Sequence, residues 1–115
     1  MTNVYTIAFD GDDFLMVYNQ KRNGWEMPGG RIEENEDTMS AAIREYAEES
    51  GFDISVISVK EMNDCFVCAA ILLAKTKEGE FECALFRELP EELAFERSEY
   101  DDVIEWARNA VKRNG

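Results

Sequence analysis

The chain has 115 residues, and its 45% hydrophobic and 11% aromatic content favours one folded domain over residues 1–115 rather than disorder. Acidic residues outnumber basic ones by 25 to 12, and the resulting formal net charge of -13 repels nucleic-acid backbones and anionic lipid surfaces. Since no apolar run approaches the ~20 residues that span a bilayer, we expect neither nucleic acid nor membrane as a partner.

The chain contains no histidine and three cysteines, Cys65, Cys68 and Cys83. Without histidine, metal binding and general base work fall to carboxylates, and oxygen ligands select Mg²⁺ or Mn²⁺ rather than zinc. Three cysteines alone cannot supply the four ligands of a structural zinc site. An odd number of thiols without a secretory pattern at the N-terminus predicts a reduced, cytoplasmic protein.

Hydrophobic patterning predicts extended segments and two helices in chain order. The predicted extended segments cover residues 4–9, 14–18, 25–30, 54–62, 65–75 and 81–86. The first helix is predicted to begin at a cap formed by Asp37 or Thr38 and to end at Gly51, and the second to run from Ser98 to about Arg113. Together these elements predict an α/β sandwich with a mixed sheet between helices.

The segment from Gly30 to Phe52, GRIEENEDTMSAAIREYAEESGF, is the most informative part of the chain. Glu45, Glu48 and Glu49 share one helix face, because positions i, i+3 and i+4 fall within an arc of roughly 100°. Like charges at this spacing destabilise an isolated helix, and a bound hard cation would offset their repulsion. The spacing therefore suggests a divalent-cation site, although three glutamates alone are more typical of a solvated helix face.

The full pattern, Gly-x5-Glu-x7-Arg-Glu-apolar-x-Glu-Glu-x-Gly-apolar, resembles the signature of the Nudix hydrolases. Its fixed positions are all matched, by Gly30, Glu36, Arg44, Glu45, Glu48, Glu49 and Gly51. The approach from Trp25 to Gly30 and the segment from Phe86 to Leu93 extend the likeness over nearly the whole chain. The resemblance implies a Nudix-type α/β/α sandwich and a MutT-like hydrolase, and the complete spacing favours a metal site over a solvated face.

The resemblance implies a role for each acidic residue of the helix. Glu48 and Glu49 are similar to the family's central metal ligands, and Glu45 to a further ligand or the general base. A backbone carbonyl at Gly29 or Gly30 would complete the metal sphere. The expected cofactor is Mg²⁺ or Mn²⁺.

Two further residues of the pattern are expected to support these ligands. Arg44 would hold a carboxylate in place through bidentate hydrogen bonds. Glu36 is similar to the family's glutamate at the helix start, and we expect it to support or bridge the ligands rather than act as the base.

The identity of the general base stays open at the level of sequence. Glu45 is one candidate, but members of the family also use a glutamate outside the signature. Glu78, Glu80 and Glu82 lie on or after the turn where such a residue would come. We rank Glu78 and Glu80 slightly ahead of Glu82.

Candidate substrate contacts precede the signature. Trp25 and Met27 lie where a nucleotide base could pack, although a tryptophan here is also typical of a core position. The strand end at residues 18–20 lacks the arginines common in the family, so neighbouring basic residues are expected to replace them. The candidate substrate-binding residues are Lys21, Arg22, Trp25, Met27, Gly29 and Gly30.

The substrate is only partly defined. Residues 59–71 contain neither the proline nor the tyrosine that mark two other subfamilies, so the chain most resembles the MutT-like nucleoside triphosphate pyrophosphatases, which release a monophosphate and pyrophosphate. A hydrolase of another nucleoside diphosphate-linked compound, such as a nucleotide-sugar or dinucleoside polyphosphate, is an alternative. So are a nucleotide- or sugar-sensing module without hydrolysis and an enzyme that trims RNA ends, which would favour a basic groove. A homodimer is an open alternative to a monomer.

Overall fold

The computed structural model describes residues 2–114 and contains seven strands and two helices within them. The strands are β1 (Asn3–Asp10), β2 (Asp13–Asn19), β3 (Gly24–Glu26), β4 (Gly29–Arg31), β5 (Phe52–Met62), β6 (Cys65–Lys75) and β7 (Glu82–Phe86). The helices are α1 (Thr38–Ser50) and α2 (Arg97–Asn114). Neither helix is long and apolar enough to cross a membrane, within the part of the chain described.

The strands form one mixed sheet with the order β3-β2-β1-β6-β5, while β4 pairs with β1 and β7 pairs with β2. β1 and β6 are parallel, and the other pairs are antiparallel. The two helices cover opposite faces, because successive side chains of a strand point to opposite sides. Along β1, Ile7 and Phe9 join a core that includes α2, whereas Val4 and Ala8 join cores that include α1. This arrangement confirms the predicted α/β sandwich.

Two tight hairpins connect neighbouring strands. Gly11 adopts a φ of 65° between the paired residues Asp10 and Asp13. Asn63 adopts a φ of 51° in the turn between β5 and β6. Glycine and asparagine tolerate this left-handed region better than other residues, which explains their positions in the two turns.

The predicted extended segment 25–30 is divided in the structure. β3 pairs with β2, and β4 pairs with β1, so the chain leaves one neighbour and joins another at Met27 and Pro28. Proline lacks a backbone N–H and cannot continue the ladder as a donor, which fits a break at this position. The crossing brings Gly29 and Gly30 beneath α1.

Helix α1 has clear signals at both ends. The Asp37 side chain caps the helix by accepting a hydrogen bond of 2.8 Å from the Ser40 N–H. Gly51 ends the helix in the left-handed region, at a φ of 83°, and its N–H donates to the Ala47 carbonyl. A Cβ at Gly51 would also overlap the Lys77 carbonyl, so this position requires glycine for two reasons.

The three cysteines are free thiols that pack in three different hydrophobic clusters. Burial raises the pKa of the Cys68 thiol to about 11, which keeps it neutral at physiological pH. Cys65 and Cys83 are only partly buried, and burial is also the main cause of their raised pKa values. Such neutral thiols behave as small apolar side chains in a core.

Candidate active site

The carboxylates of α1 meet the glycine backbone of β4. Glu49 Oε1 accepts a hydrogen bond of 3.0 Å from the Gly29 N–H. A Cβ at Gly30 would overlap the Glu45 carboxylate, and a Cβ at Gly29 would overlap the backbone of β1. The two glycines therefore allow the helix to place its acidic face directly against the strand.

Arg44 links several of the acidic residues. Its Nε and Nη2 atoms donate to both Glu36 oxygens, at 2.7 and 2.9 Å, so the bidentate contact expected of Arg44 is made with Glu36. Its Nη1 donates to Glu45 Oε1 at 2.8 Å, and Nη2 also reaches the Arg31 carbonyl at 2.9 Å. Hydrogen bonds from Arg44 are the main cause that lowers the Glu36 pKa to about 2. Arg44 therefore remains paired with an ionised carboxylate, and its own pKa is raised.

Glu48 is the most exposed of the three central glutamates. Its side chain is 49% exposed, and its closest approach to Arg44 Nη1 is 3.4 Å. The Glu45 side chain, by contrast, is 16% exposed and bonded to the same guanidinium. Glu48 is thus free to reorient toward a ligand with little loss of existing contacts.

The electrostatic environment disfavours charge on Glu49 and Glu45. Burial is the main cause that raises the Glu49 pKa to about 8, and the negative charges of Glu26, Glu45 and Glu80 add to it. The Gly29 N–H opposes this shift without cancelling it. The pKa of Glu45 is raised by burial and lowered in part by Arg44. A cation bound among these carboxylates would stabilise their charged forms.

The donor set fits a hard divalent cation, although it is not preassembled. Among residues 2–114, no three acidic or thiol side chains are already gathered as a metal-binding cluster. Glu45 and Glu48 turn toward Arg44, whereas Glu49 turns toward the Gly29 N–H. All of these donors are oxygens on one helix face. The pKa of Glu49 is raised, and a bound cation would favour the charged form of this residue. Glu45, Glu48 and Glu49 would hold the ion, beside the Gly29 backbone.

The loop between β6 and β7 packs on the C-terminal end of α1. The N–H groups of Glu80 and Phe81 donate to the Glu48 and Glu49 carbonyls, at 2.9 and 3.0 Å. Gly79 has no room for a Cβ against the same turn of helix. The loop is therefore fixed to the carboxylate-bearing helix by its backbone.

This packing distinguishes the loop glutamates. Glu80 lies close enough to Glu49 for its charge to contribute to the raised pKa of that residue. Glu78 is 93% exposed on its side chain and lies 3.6 Å from Lys75. Glu82 is exposed on β7 and, with Glu80 and Lys21, lines a shallow cavity of about 300 Å³. Of the candidate bases outside α1, Glu80 is thus the one that the structure places beside the acidic face.

Trp25 packs among other aromatic side chains. Its ring makes edge contacts with Tyr18 and Phe86, at centroid distances of 5.2 and 5.0 Å. Its backbone is hydrogen-bonded to Glu92 and Ala94, which fixes the following loop against β3. Trp25 thus packs against the core, which is the alternative that the sequence offered for it, and it does not line the cavity at the glycines. Its contact with a nucleotide base stays a prediction. 

The other candidate contacts are divided between two cavities. Met27 is 3% exposed and lines a cavity of about 350 Å³ that also includes Gly29, Gly30 and Arg22. The Arg22 guanidinium donates to Glu26 at 2.9 Å, and its contact with a substrate stays a prediction. Lys21 belongs to the other cavity, beside Glu80.

Sequence reasoning gave no role to Glu26. This carboxylate is 5% exposed, and it accepts hydrogen bonds from Arg22 and from the Asn19 amide. Its charge contributes to the raised pKa of Glu49. The available signal was its position on the face of β3 opposite the Trp25 side chain, where a charged residue is unusual unless it is paired.

Sequence reasoning also missed an aromatic cleft on the side of the glycines away from the carboxylates. We use this term for the cavity of about 350 Å³, whose aromatic wall consists of Tyr5, Phe95 and Tyr100. Tyr100 makes edge contacts with Tyr5 at 5.7 Å and with Phe95 at 6.2 Å. The wall joins residues from opposite ends of the chain, so no local pattern could have revealed it.

Comparison with known proteins agrees with this architecture. The NUDIX domain model matches residues 1–108, which is most of the chain. The protein therefore belongs to the Nudix hydrolase family, and the resemblance seen in the sequence is confirmed. Members of this family generally use divalent cations.

A curated relative shares part of the sequence. The RNA pyrophosphohydrolase of Dinoroseobacter shibae is 40% identical over 42 residues, which make up 36% of this chain. The match spans only 26% of that relative's length.

Solved structures share nearly the whole fold. A pyrophosphohydrolase of Bacillus subtilis has 25% identity and a TM-score of 0.72, with 98% of this chain and 82% of that chain covered. An ADP-ribose pyrophosphatase of Streptococcus suis has 20% identity and a TM-score of 0.70, with coverages of 93% and 90%. The Dinoroseobacter and Streptococcus proteins are named for different substrates, RNA and ADP-ribose, so the likeness defines the fold and leaves the substrate open.

Proposed function

We propose that this protein is a metal-dependent hydrolase that cleaves a phosphoanhydride bond in a nucleoside polyphosphate. The observation that carries the proposal is the acidic face of α1 pressed against Gly29 and Gly30, where Glu49 has a pKa of about 8. Mg²⁺ or Mn²⁺, when bound, would neutralise phosphate oxygens and help to ionise the attacking water. Glu45, Glu48 and Glu49 are the proposed ligands.

The neighbouring residues would orient the ligands and the substrate. Arg44, held by Glu36, fixes Glu45, while its 3.4 Å contact with Glu48 leaves that side chain able to turn toward a ligand. The small size of Gly29 and Gly30 would let a phosphate chain approach the backbone closely. Lys21, at the rim of the cavity that Glu80 lines, is the proposed contact for an outer phosphate.

A glutamate would accept the proton of the attacking water. Glu45, on the acidic face, and Glu80, beside it, are the proposed candidates, because neither is one of the two central ligands Glu48 and Glu49. Glu78 is less well supported, since its side chain is exposed and pairs with Lys75. Proton transfer to such a positioned group typically contributes 10²–10⁴-fold in rate.

For the substrate, we propose a MutT-like reaction that converts a nucleoside triphosphate into the monophosphate and pyrophosphate. Three free thiols and the absence of histidine are consistent with a cytoplasmic, magnesium-using enzyme of nucleotides. The name of the Dinoroseobacter relative supports a second candidate, removal of pyrophosphate from a triphosphate-bearing RNA end. The net charge of -13 favours the small substrate, because it repels a long phosphate backbone.

A product assay tests the proposal. The protein would be incubated with a panel of nucleoside triphosphates, nucleotide-sugars and dinucleoside polyphosphates, and with a triphosphate-bearing oligonucleotide, in Mg²⁺ or Mn²⁺. We expect monophosphate and pyrophosphate from a mononucleotide, and loss of turnover in excess EDTA. Full turnover in EDTA would contradict the metal site, and saturable binding without turnover of any compound would indicate a sensing module. Faster cleavage of the oligonucleotide would favour the second candidate.

A further inference from the structure

The aromatic cleft and the proposed catalytic site share Gly29 and Gly30. The lining of the cleft includes these two glycines, whose other side contacts the Glu49 and Glu45 carboxylates. A flat ring held in the cleft would therefore place an attached phosphate chain toward the acidic face of α1. The volume of about 350 Å³ is within the range of small-molecule sites.

The outer edge of the cleft is an exposed but anchored aromatic ring. Phe95 is 40% exposed, which is unusual for a large apolar side chain that the backbone holds in place. The preceding residue, Ala94, donates a 2.9 Å hydrogen bond to the Trp25 carbonyl, so the loop is tied to β3. The Arg22 guanidinium lies 5.2 Å from the Phe95 ring centroid and is itself held by Glu26. Arg22 lies over this fixed ring, and the exposed part of the ring offers a surface on which a planar group can stack.

An exposed carboxylate, that of Glu99, also lines the cleft. Glu99 lies in the first turn of α2. Within residues 2–114, its side chain makes no hydrogen bond or ion pair. Burial is the main cause that raises the pKa values of Tyr5 and Tyr100, and the Glu99 charge contributes to both shifts. The carboxylate is therefore close to the aromatic wall.

We propose that the aromatic cleft binds the base of the nucleotide and that Glu99 makes it selective for guanine. An ionised carboxylate has only acceptor atoms, so it needs adjacent N–H donors on its ligand. Guanine presents two such donors, at N1 and at the 2-amino group. In adenine and in cytosine, the single amino group lies next to a ring nitrogen that is an acceptor. The one N–H of uracil lies between two carbonyl acceptors. Each of these bases would therefore bring an acceptor toward Glu99.

This inference rests on the proposed function for the direction of the phosphate chain, but it can be tested without turnover. GMP, IMP and AMP contain no phosphoanhydride bond, and their affinities can be measured by calorimetry with Mg²⁺ present. We expect GMP to bind about tenfold or more tightly than AMP, since one bidentate contact typically discriminates by that amount. IMP, which lacks the 2-amino group, should fall between them. Equal affinities for GMP and AMP would overturn the proposal.

Substitution of Glu99 assigns the selectivity to this residue. Removing a negative charge can strengthen the binding of every nucleotide, so the measured quantity is the ratio of GMP to AMP affinity. We expect Glu99→Gln to reduce this ratio to within about threefold of unity. The matched control Asp101→Asn removes the same charge from α2 at a residue outside the cleft, and should leave the ratio unchanged. An unchanged ratio in Glu99→Gln would contradict the role of Glu99.

A third variant tests stacking. Phe95→Ala should weaken GMP and AMP by similar factors, on the order of 5–100-fold, because every base has a flat face. Unaltered affinities in Phe95→Ala would overturn the placement of the base against this ring. If the nucleotides bind selectively but no anhydride is hydrolysed, the proposed function fails and this inference stands. Hydrolysis of the triphosphates of all bases at one rate, with no selective binding of the monophosphates, would contradict this inference and leave the proposed function standing.

Discussion

The carboxylate face of α1 and the aromatic cleft lie on two sides of Gly29 and Gly30, yet they differ in origin and in chemistry. The carboxylate face comes from Glu45, Glu48 and Glu49 on one helix, where burial and, to a lesser extent, nearby negative charges raise the pKa of Glu49. The cleft is assembled from distant segments of the chain and is mainly aromatic. The difference implies that the carboxylate face performs the chemistry and that the aromatic cleft recognises the base. Substitutions should therefore separate kcat from selectivity.

The largest expected effect is at the carboxylate face. Glu49→Gln should lower kcat by about 10³-fold or more, beyond the 10–100-fold typical of residues that only support a metal ligand. The fold should persist, because the glutamine oxygen can still accept from the Gly29 N–H. Steady-state kinetics in Mg²⁺ and thermal unfolding would measure the two properties. The control Glu61→Gln, at an exposed position on β5, should change neither. A near wild-type rate in Glu49→Gln would contradict the role of this residue.

The general base should show the next largest effect. If Glu45 or Glu80 accepts the proton, its change to glutamine should cost on the order of 10²–10⁴-fold in kcat. Metal affinity should be preserved for Glu80→Gln and weakened for Glu45→Gln, because only Glu45 is also a proposed ligand. Glu78→Gln should have little effect, since Glu78 is 93% exposed beside Lys75. Small and equal losses in all three variants would remove a glutamate base from the mechanism.

Substitution of Trp25 tests whether this residue stabilises the core or contacts a nucleotide. Trp25→Ala should lower the free energy of unfolding by about 2–4 kcal/mol, because it removes ring contacts with Tyr18 and Phe86. The ratio of GMP to AMP affinity should not change, as Trp25 does not line the cleft. Urea unfolding measures the first quantity, and Trp25→Phe should recover part of the loss. A stable alanine variant with weakened nucleotide binding would instead support the expectation that Trp25 packs against a base.

The smallest effect concerns the pH dependence of stability. The Glu49 pKa is raised from 4.5 to about 8 on folding, so its contribution to stability is present below pH 4.5 and is lost as pH rises through 8. Glu49→Gln does not titrate and should be more stable than the wild type at pH 9 by roughly 1–3 kcal/mol, with little difference near pH 4. Urea unfolding in EDTA at several pH values would measure this difference. A difference in unfolding free energy between the two proteins that does not vary with pH would contradict the raised pKa of Glu49.

The carboxylate face was predictable because its causes are local. Helical periodicity alone brings Glu45, Glu48 and Glu49 to one side of α1, and the end signals at Asp37 and Gly51 are adjacent in sequence to the helix that they delimit. The resemblance to the family signature also indicated that the backbone of Gly29 or Gly30 lies beside this helix face. The sheet and its hairpins followed from alternating hydrophobic residues and turn residues in the same way.

The cleft and the choice among loop glutamates were not predictable, because both depend on tertiary packing. Tyr5 and Tyr100 meet only after β1 and α2 have packed together. Glu78 and Glu80 look alike in sequence, and the hydrogen bond from the Glu80 N–H to the Glu48 carbonyl is what places them differently. The break of the extended segment at Pro28 likewise depends on which strand each half joins.

The central claim is that water attacks a phosphorus atom within the phosphate chain, beside the acidic face of α1. Hydrolysis of a nucleoside triphosphate in ¹⁸O-labelled water, followed by mass spectrometry of the products, tests it most directly. We expect one labelled oxygen on either the monophosphate or the pyrophosphate, with no label in the sugar or the base and no early release of single phosphate. Label in a sugar or base fragment, or stepwise release of labelled phosphate, would contradict the account.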